Sequence, residues 1–145
     1  MLGVGEKRLP FTVRQLIEMD GCARCELCKD ACSVLNLTKV NPHPLNYPIS
    51  FAALLREFRS LIKRQYGLLS KLLRLSPKPE KIWECAEGAF LRCTLCGRCM
   101  VLCPLGINTH SMIVSMRRYF VEKVDVVPET VRKVMSAHDL PHGFR

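Results

Sequence analysis

The sequence predicts an all-α fold. Apolar residues recur at helical spacing in several separate stretches, and capping or stopping residues bound most of them. No run of useful length alternates apolar with polar residues as a half-buried strand would. At 145 residues the chain is read as one domain, 1–145, large enough to bury a modest core.

The elements follow in order. Thr12-Val-Arg-Gln15 has the form of a capping box and predicts a helix with Val13, Leu16 and Ile17 as its apolar side, ending at Gly21. Asn41 to Pro48 holds three prolines and reads as an extended linker. Ser50 caps a long helix whose apolar positions are Phe51, Leu54, Leu55, Phe58, Leu61 and Ile62. Gly67 divides it, leaving Leu68, Leu69, Leu72 and Leu73 in a second piece that Ser76-Pro-Lys-Pro79 ends. A short segment around Trp83 follows. Asn108 or Thr109 then caps a helix with Met112, Ile113, Met116, Phe120 and Val124 on its apolar side. Pro128 opens a last helix containing Val131, Val134 and Met135. Asp139 to Arg145 reads as irregular.

Composition narrows the chemistry. With 48% hydrophobic and 24% charged residues, disorder is not expected. The first residues, MLGVGEKRLPFTVRQL, contain no signal-peptide core. No stretch reaches the roughly 18 uninterrupted apolar residues of a membrane span. Phe51 to Leu75 is interrupted by Arg56, Glu57, Arg59, Lys63, Arg64, Lys71 and Arg74. The expected location is therefore the cytoplasm, where disulfides are rare, so the nine cysteines read as ligands.

Eight of them form two blocks: Cys22, Cys25, Cys28, Cys32 and Cys93, Cys96, Cys99, Cys103. Both have the spacing C-x2-C-x2-C-x3-C, 71 residues apart at every position, so the motif is repeated within the chain. Structural zinc favours two C-x2-C pairs about a dozen residues apart. Three cysteines within seven residues, twice, suit the corners of two [4Fe–4S] cubes. The fourth cysteine, where the segment is helical, lies about 6 Å further along the same face. It can aim at the neighbouring cube, as in two-cluster proteins with this spacing. One centre is thus expected on Cys22, Cys25, Cys28 and Cys103, the other on Cys32, Cys93, Cys96 and Cys99. Every iron would then carry a cysteine and none would stand open to substrate, which favours electron relay over catalysis.

The formal charge is +9 and the pI about 9.3. Two oxidised cubes with their thiolates, roughly −2 each, would bring the total to about +5. A nucleic-acid-binding protein with a structural cluster thereby loses force and leaves the second centre unexplained.

The second block, Arg92-Cys-Thr-Leu-Cys-Gly-Arg-Cys-Met-Val-Leu-Cys-Pro-Leu-Gly-Ile107, resembles the iron–sulfur subunits of heterodisulfide reductase and of glycolate oxidase. The C-terminal domain of succinate dehydrogenase iron–sulfur proteins is a more distant likeness. The layout, two motifs with helix between, resembles the α-helical ferredoxins. The resemblance implies that fold, two [4Fe–4S] clusters and electron transfer to or from a separate catalytic polypeptide. With the chain ending at Arg145, the likeness is to the detached form of the heterodisulfide reductase iron–sulfur subunits. Its partners would then be a cysteine-rich catalytic polypeptide of heterodisulfide reductase type and a further redox subunit. One departure is Ser33, where such motifs usually carry proline after the fourth cysteine.

Cys85 stands outside both blocks and reads as a small buried hydrophobe, with an extra ligand as the alternative. The basic helix offers Arg56, Arg59, Lys63 and Arg64 as a docking face for an acidic partner or a membrane surface, against the plainer reading of a solvated face. Arg117 and Arg118 read as surface charge and Trp83 as packing. His43, His110, His138 and His142 show no ligand spacing. A free-standing ferredoxin serving several enzymes is the alternative to membership of a complex.

Overall fold

The computed structural model describes residues 9–40, 50–68, 72–73 and 76–138. Among these there are helices and no strand, so the all-α expectation holds. The linker 41–48, most of the helical piece after Gly67 and the tail from Asp139 fall wholly or partly outside the described residues.

Helix α1 spans Val13–Gly21. Its capping box is complete: Thr12 Oγ1 accepts from the Gln15 amide at 3.2 Å, and Gln15 Oε1 accepts from the Thr12 amide at 2.9 Å. The inward face differs from the expected one. Gln15 and Met19 are buried, whereas Val13, Leu16 and Ile17 face solvent. The physical reason is polar, because the Gln15 amide nitrogen donates into the helix that follows the second cysteine block.

Two short helices follow, α2 at Leu27–Ala31 and α3 at Ser33–Val40. The sequence reading contains no counterpart of α3. Helix α4, Phe51–Tyr66, starts where Ser50 Oγ accepts from the Ala53 amide and stops at Gly67, whose amide donates to the Lys63 carbonyl. Leu54, Leu55, Phe58 and Leu61 are buried as expected, with Phe51 and Ile62 packed at the edge of the core.

The segment around Trp83 is a full twelve-residue helix, α5 at Pro79–Phe90, with proline in its first turn. Cys85, Ala86, Gly88 and Ala89 form its buried side, and these small residues let α4 and the helix after the second block pack close against it. The second block contains α6, Arg98–Val101, and leads to α7, Thr109–Tyr119, capped by Asn108 Oδ1, which accepts from the Ser111 amide at 3.0 Å. A π turn, Phe120–Val124, continues α7 and ends at Asp125. Helix α8, Glu129–His138, follows Pro128 but leaves Val134 and Met135 exposed.

The core centres on Phe58. Its ring meets Phe11, Tyr119 and Phe120 with centroids 5.5, 5.2 and 5.6 Å away, the last two edge-on. Such pairs contribute about 0.5–1.5 kcal/mol each beyond burial. This aromatic knot joins α4 to α7, the two helices whose N-termini abut the cysteines.

Candidate metal centre

The two cysteine blocks trace the same backbone path. In the first, Arg24 and Glu26 have φ of 56° and 61°; in the second, Leu95 and Gly97 have 58° and 75°. Arg24 matches Leu95 and Glu26 matches Gly97 at the 71-residue offset. Three of these four are not glycine, and the left-handed region costs such residues roughly 1–2 kcal/mol each. Strain of this kind persists where the surrounding structure over-determines it, as at ligand sites. Left-handed residues thus flank the second cysteine of each block, and turns of this kind can form anion-binding concavities of backbone N–H groups.

After each loop a short helix carries the third cysteine: Cys28 on α2 and Cys99 on α6. These helices pack on each other. Two adjoining cavities result. One is lined by Cys22, Cys25, Cys28 and Cys103 together with Cys99; the other by Cys32, Cys93, Cys96 and Cys99 together with Cys28. Cys28, Cys99 and Phe51 border both and form the wall between them. Each set of four cysteines read from the sequence thus meets around one cavity. Among the described residues, no three histidine, cysteine or carboxylate side chains converge as they would on a single ion.

The thiols sit in different environments. Burial pushes Cys28 up, opposed by the Ala52 amide at the start of α4. Burial also pushes Cys93 up, opposed by the Leu95 amide and the Arg117 guanidinium. Cys96 lies below the usual thiol range because the Arg98 amide, and to a lesser degree the Thr94 hydroxyl, donate to it. Cys99 Sγ lies 2.9 Å from the hydroxyl of Thr109, which is buried at the start of α7. Metal binding requires thiolates, so such donors favour the ligating form. Mostly apolar walls, backbone amides at Cys28, Cys93 and Cys96, and five thiols bordering each cavity, with Cys28 and Cys99 common to both, are a donor set that fits a polarisable iron–sulfide cube.

Helix α7 holds the second block in place. Arg117 Nε donates to the Ala89 carbonyl at 2.8 Å, its Nη2 donates to the Cys93 carbonyl, and its guanidinium lies 5.7 Å from the centroid of Phe90. His110 Nδ1 lies 3.1 Å from the Leu95 carbonyl, which can only accept. The Asn108 amide donates to Glu18 of α1 at 3.2 Å. Arg117 is thus a structural partner of the site where the sequence suggested surface charge. Arg118, by contrast, pairs with Glu122 at the surface.

Sequence reasoning missed Thr109 as a thiol partner and Ala52 altogether. The only signal for Thr109 was its place beside a helix cap. Cys85 is 1% exposed within the core, away from both cavities, and burial pushes its thiol up to about 12. Of the basic positions on α4, Arg59 pairs with Asp20 of α1 and Arg56 with Glu57, while Lys63 and Arg64 are exposed. No helix among the described residues is long and apolar enough to cross a membrane.

Comparison with known proteins places the site in context. Residues 18–107 match the model of the 4Fe-4S dicluster domain. A subunit of the dihydromethanophenazine:CoB–CoM heterodisulfide reductase of Methanosarcina acetivorans is 30% identical over 113 residues, covering 78% of this chain and 26% of that protein. The Hdr-like menaquinol oxidoreductase iron-sulfur subunit of Archaeoglobus profundus is 32% identical over 101 residues, covering 69% of this chain and 18% of the relative. The chain therefore spans about a quarter or less of the length of these relatives. No solved structure matches.

Proposed function

The chain belongs to the 4Fe-4S dicluster domain family, and from that membership we propose that it relays single electrons within a heterodisulfide reductase-like oxidoreductase complex. The observation that carries this reading is the pair of adjoining cavities, each ringed by one of the two predicted cysteine sets. Cys22, Cys25, Cys28 and Cys103 hold one centre; Cys32, Cys93, Cys96 and Cys99 hold the other. Each bound cube supplies a site that accepts and returns one electron.

The chain's own residues do the rest. The Leu95 and Arg98 amides of the second block, the Ala52 amide at the start of α4 and the Thr109 hydroxyl at the start of α7 stabilise thiolate charge. The wall of Cys28, Cys99 and Phe51 keeps the two centres adjacent, which shortens the step between them. Cys25 and Cys96 are exposed and supply points where an electron can enter or leave. The partners are a cysteine-rich catalytic polypeptide and a further redox subunit, docked in part through the basic side of α4, which also offers a peripheral contact to a membrane.

Anaerobically prepared protein should contain about eight irons and eight acid-labile sulfides. A colourless protein loaded with zinc ends the proposal. Cys103→Ser should perturb the centre of Cys22, Cys25 and Cys28 in EPR spectra; damage confined to the other centre would remove the crossed assignment. Anaerobic co-purification should recover a cysteine-rich catalytic polypeptide, and a protein that elutes alone would favour a free ferredoxin.

A further inference from the structure

The two cavities are not equivalent, and we infer that the centre held by Cys93, Cys96 and Cys99 has the higher reduction potential, with the buried hydroxyl of Thr109 as the residue that sets it apart. This rests on the proposed cluster ligation, but only on the first three cysteines of each block, so crossed and uncrossed pairing give the same answer.

The first observation is a hydrogen bond. Thr109 Oγ1 lies 2.9 Å from Cys99 Sγ, and Thr109 is 2% exposed. A ligating sulfur is a thiolate and carries no proton, so the hydroxyl must be the donor. In the first block the third cysteine, Cys28, receives a backbone amide from Ala52, which has no hydroxyl. Thr109 also lines the cavity of Cys22 and Cys25, but its hydroxyl is directed at Cys99. A second side-chain donor falls on the same side: the Thr94 hydroxyl donates to Cys96, and the matching position of the first block is Ala23, which has none.

The second observation is independent of hydrogen bonding. The charged side chains lining the cavity of Cys93, Cys96 and Cys99 are Arg92 and Arg98, both cationic. Those lining the other are one cation, Arg24, and one anion, Glu26, which pairs with Lys29 at 3.5 Å. Arg117 adds a third cation behind Cys93.

Both effects have one sign. Reduction adds a negative charge, and donors to the sulfurs and nearby cations stabilise the added charge, raising the potential. The first electron to enter the protein therefore resides at the Cys93 centre, and the Cys22 centre is reduced second.

An EPR-monitored redox titration of the anaerobic protein with both clusters loaded tests this. Two one-electron waves are expected. Thr109→Val removes the donor while keeping the shape, and should shift the equilibrium of the higher-potential wave about tenfold toward oxidation, about 59 mV for one electron, leaving the lower wave in place. Thr94→Val should move the same wave in the same direction, and Thr109→Ser should restore the wild-type potential. A shift confined to the lower wave, an equal shift of both, or none in either variant overturns the assignment. Failure of the ligation reading would show differently, as protein lacking the two waves before any substitution.

Discussion

Gln15 of α1 and Ser115 of α7, one hundred positions apart, are joined by a hydrogen bond of 2.9 Å from the Gln15 amide nitrogen to the serine hydroxyl. The same nitrogen reaches the Ser111 carbonyl at 3.1 Å, while the amide oxygen completes the cap of α1. One buried side chain thus closes a helix start and docks that helix beside the second cysteine block.

Because Gln15 is buried and its polar atoms are used, Gln15→Leu would strand the Thr12 amide and the Ser115 hydroxyl. Each unsatisfied group costs about 1–3 kcal/mol. The variant should unfold at clearly lower denaturant concentration than wild type, whereas Ser115→Ala should cost less. Equal midpoints for Gln15→Leu and wild type would contradict this role.

Gly97 and Glu26 occupy matching left-handed positions. A Cβ at Gly97 would meet nothing within 4 Å, so the penalty for Gly97→Ala is purely backbone. It should lower stability by about 1 kcal/mol. Glu26→Gly, in the same conformation, should leave stability unchanged or raise it slightly, because the relieved strain offsets the added chain entropy. Loss of the Glu26–Lys29 surface pair at 3.5 Å should matter little. Chemical unfolding of both variants, with cluster absorbance as the readout, checks the contrast.

Cys85 titrates only near pH 12 in the folded chain because burial disfavours its thiolate, against an ordinary value of 9.0. A folded value raised above the unfolded one gives stability that is complete below pH 9 and lost as pH rises toward 12. The slope of stability against pH between 9 and 12 should therefore flatten in Cys85→Ala, in which the thiol is absent. The variant should also keep its full iron content. In wild-type holoprotein held about one unit below the ordinary thiol value, an alkylating reagent should leave Cys85 unlabelled. Ready labelling would show that the thiol is not buried.

On α4, Lys63→Glu and Arg64→Glu reverse charge at exposed positions. They should weaken association with an acidic partner, more so at low salt, and leave the cluster spectrum unchanged. Arg59 is a control of a different kind, since its pairing with Asp20 ties α4 to α1. Arg59→Glu should lower stability as well as binding. Identical association of all variants with the partner would assign the basic face to solvent.

Much of this protein is legible from local sequence. The caps at Thr12, Ser50 and Asn108 act through hydrogen bonds spanning three residues, so their residue types announce helix starts directly. The doubled cysteine spacing is likewise a local signal, and the family match spans both blocks. Which face of α1 turns inward is not local: Val13, Leu16 and Ile17 obey helical periodicity, yet Gln15 is buried because its partners lie on a helix nearly a hundred residues away. The helical class, the caps and the cysteines available for two centres follow from the chain's own spelling, because each depends on residues a few positions apart. That Cys28 and Cys99 share a wall, that Arg117 holds the Cys93 carbonyl and that Thr109 faces Cys99 emerge only from the packed molecule. Those relationships come from packing α2 on α6 and α7 beside α5, and the spacing of residues along a chain carries no record of which helices meet.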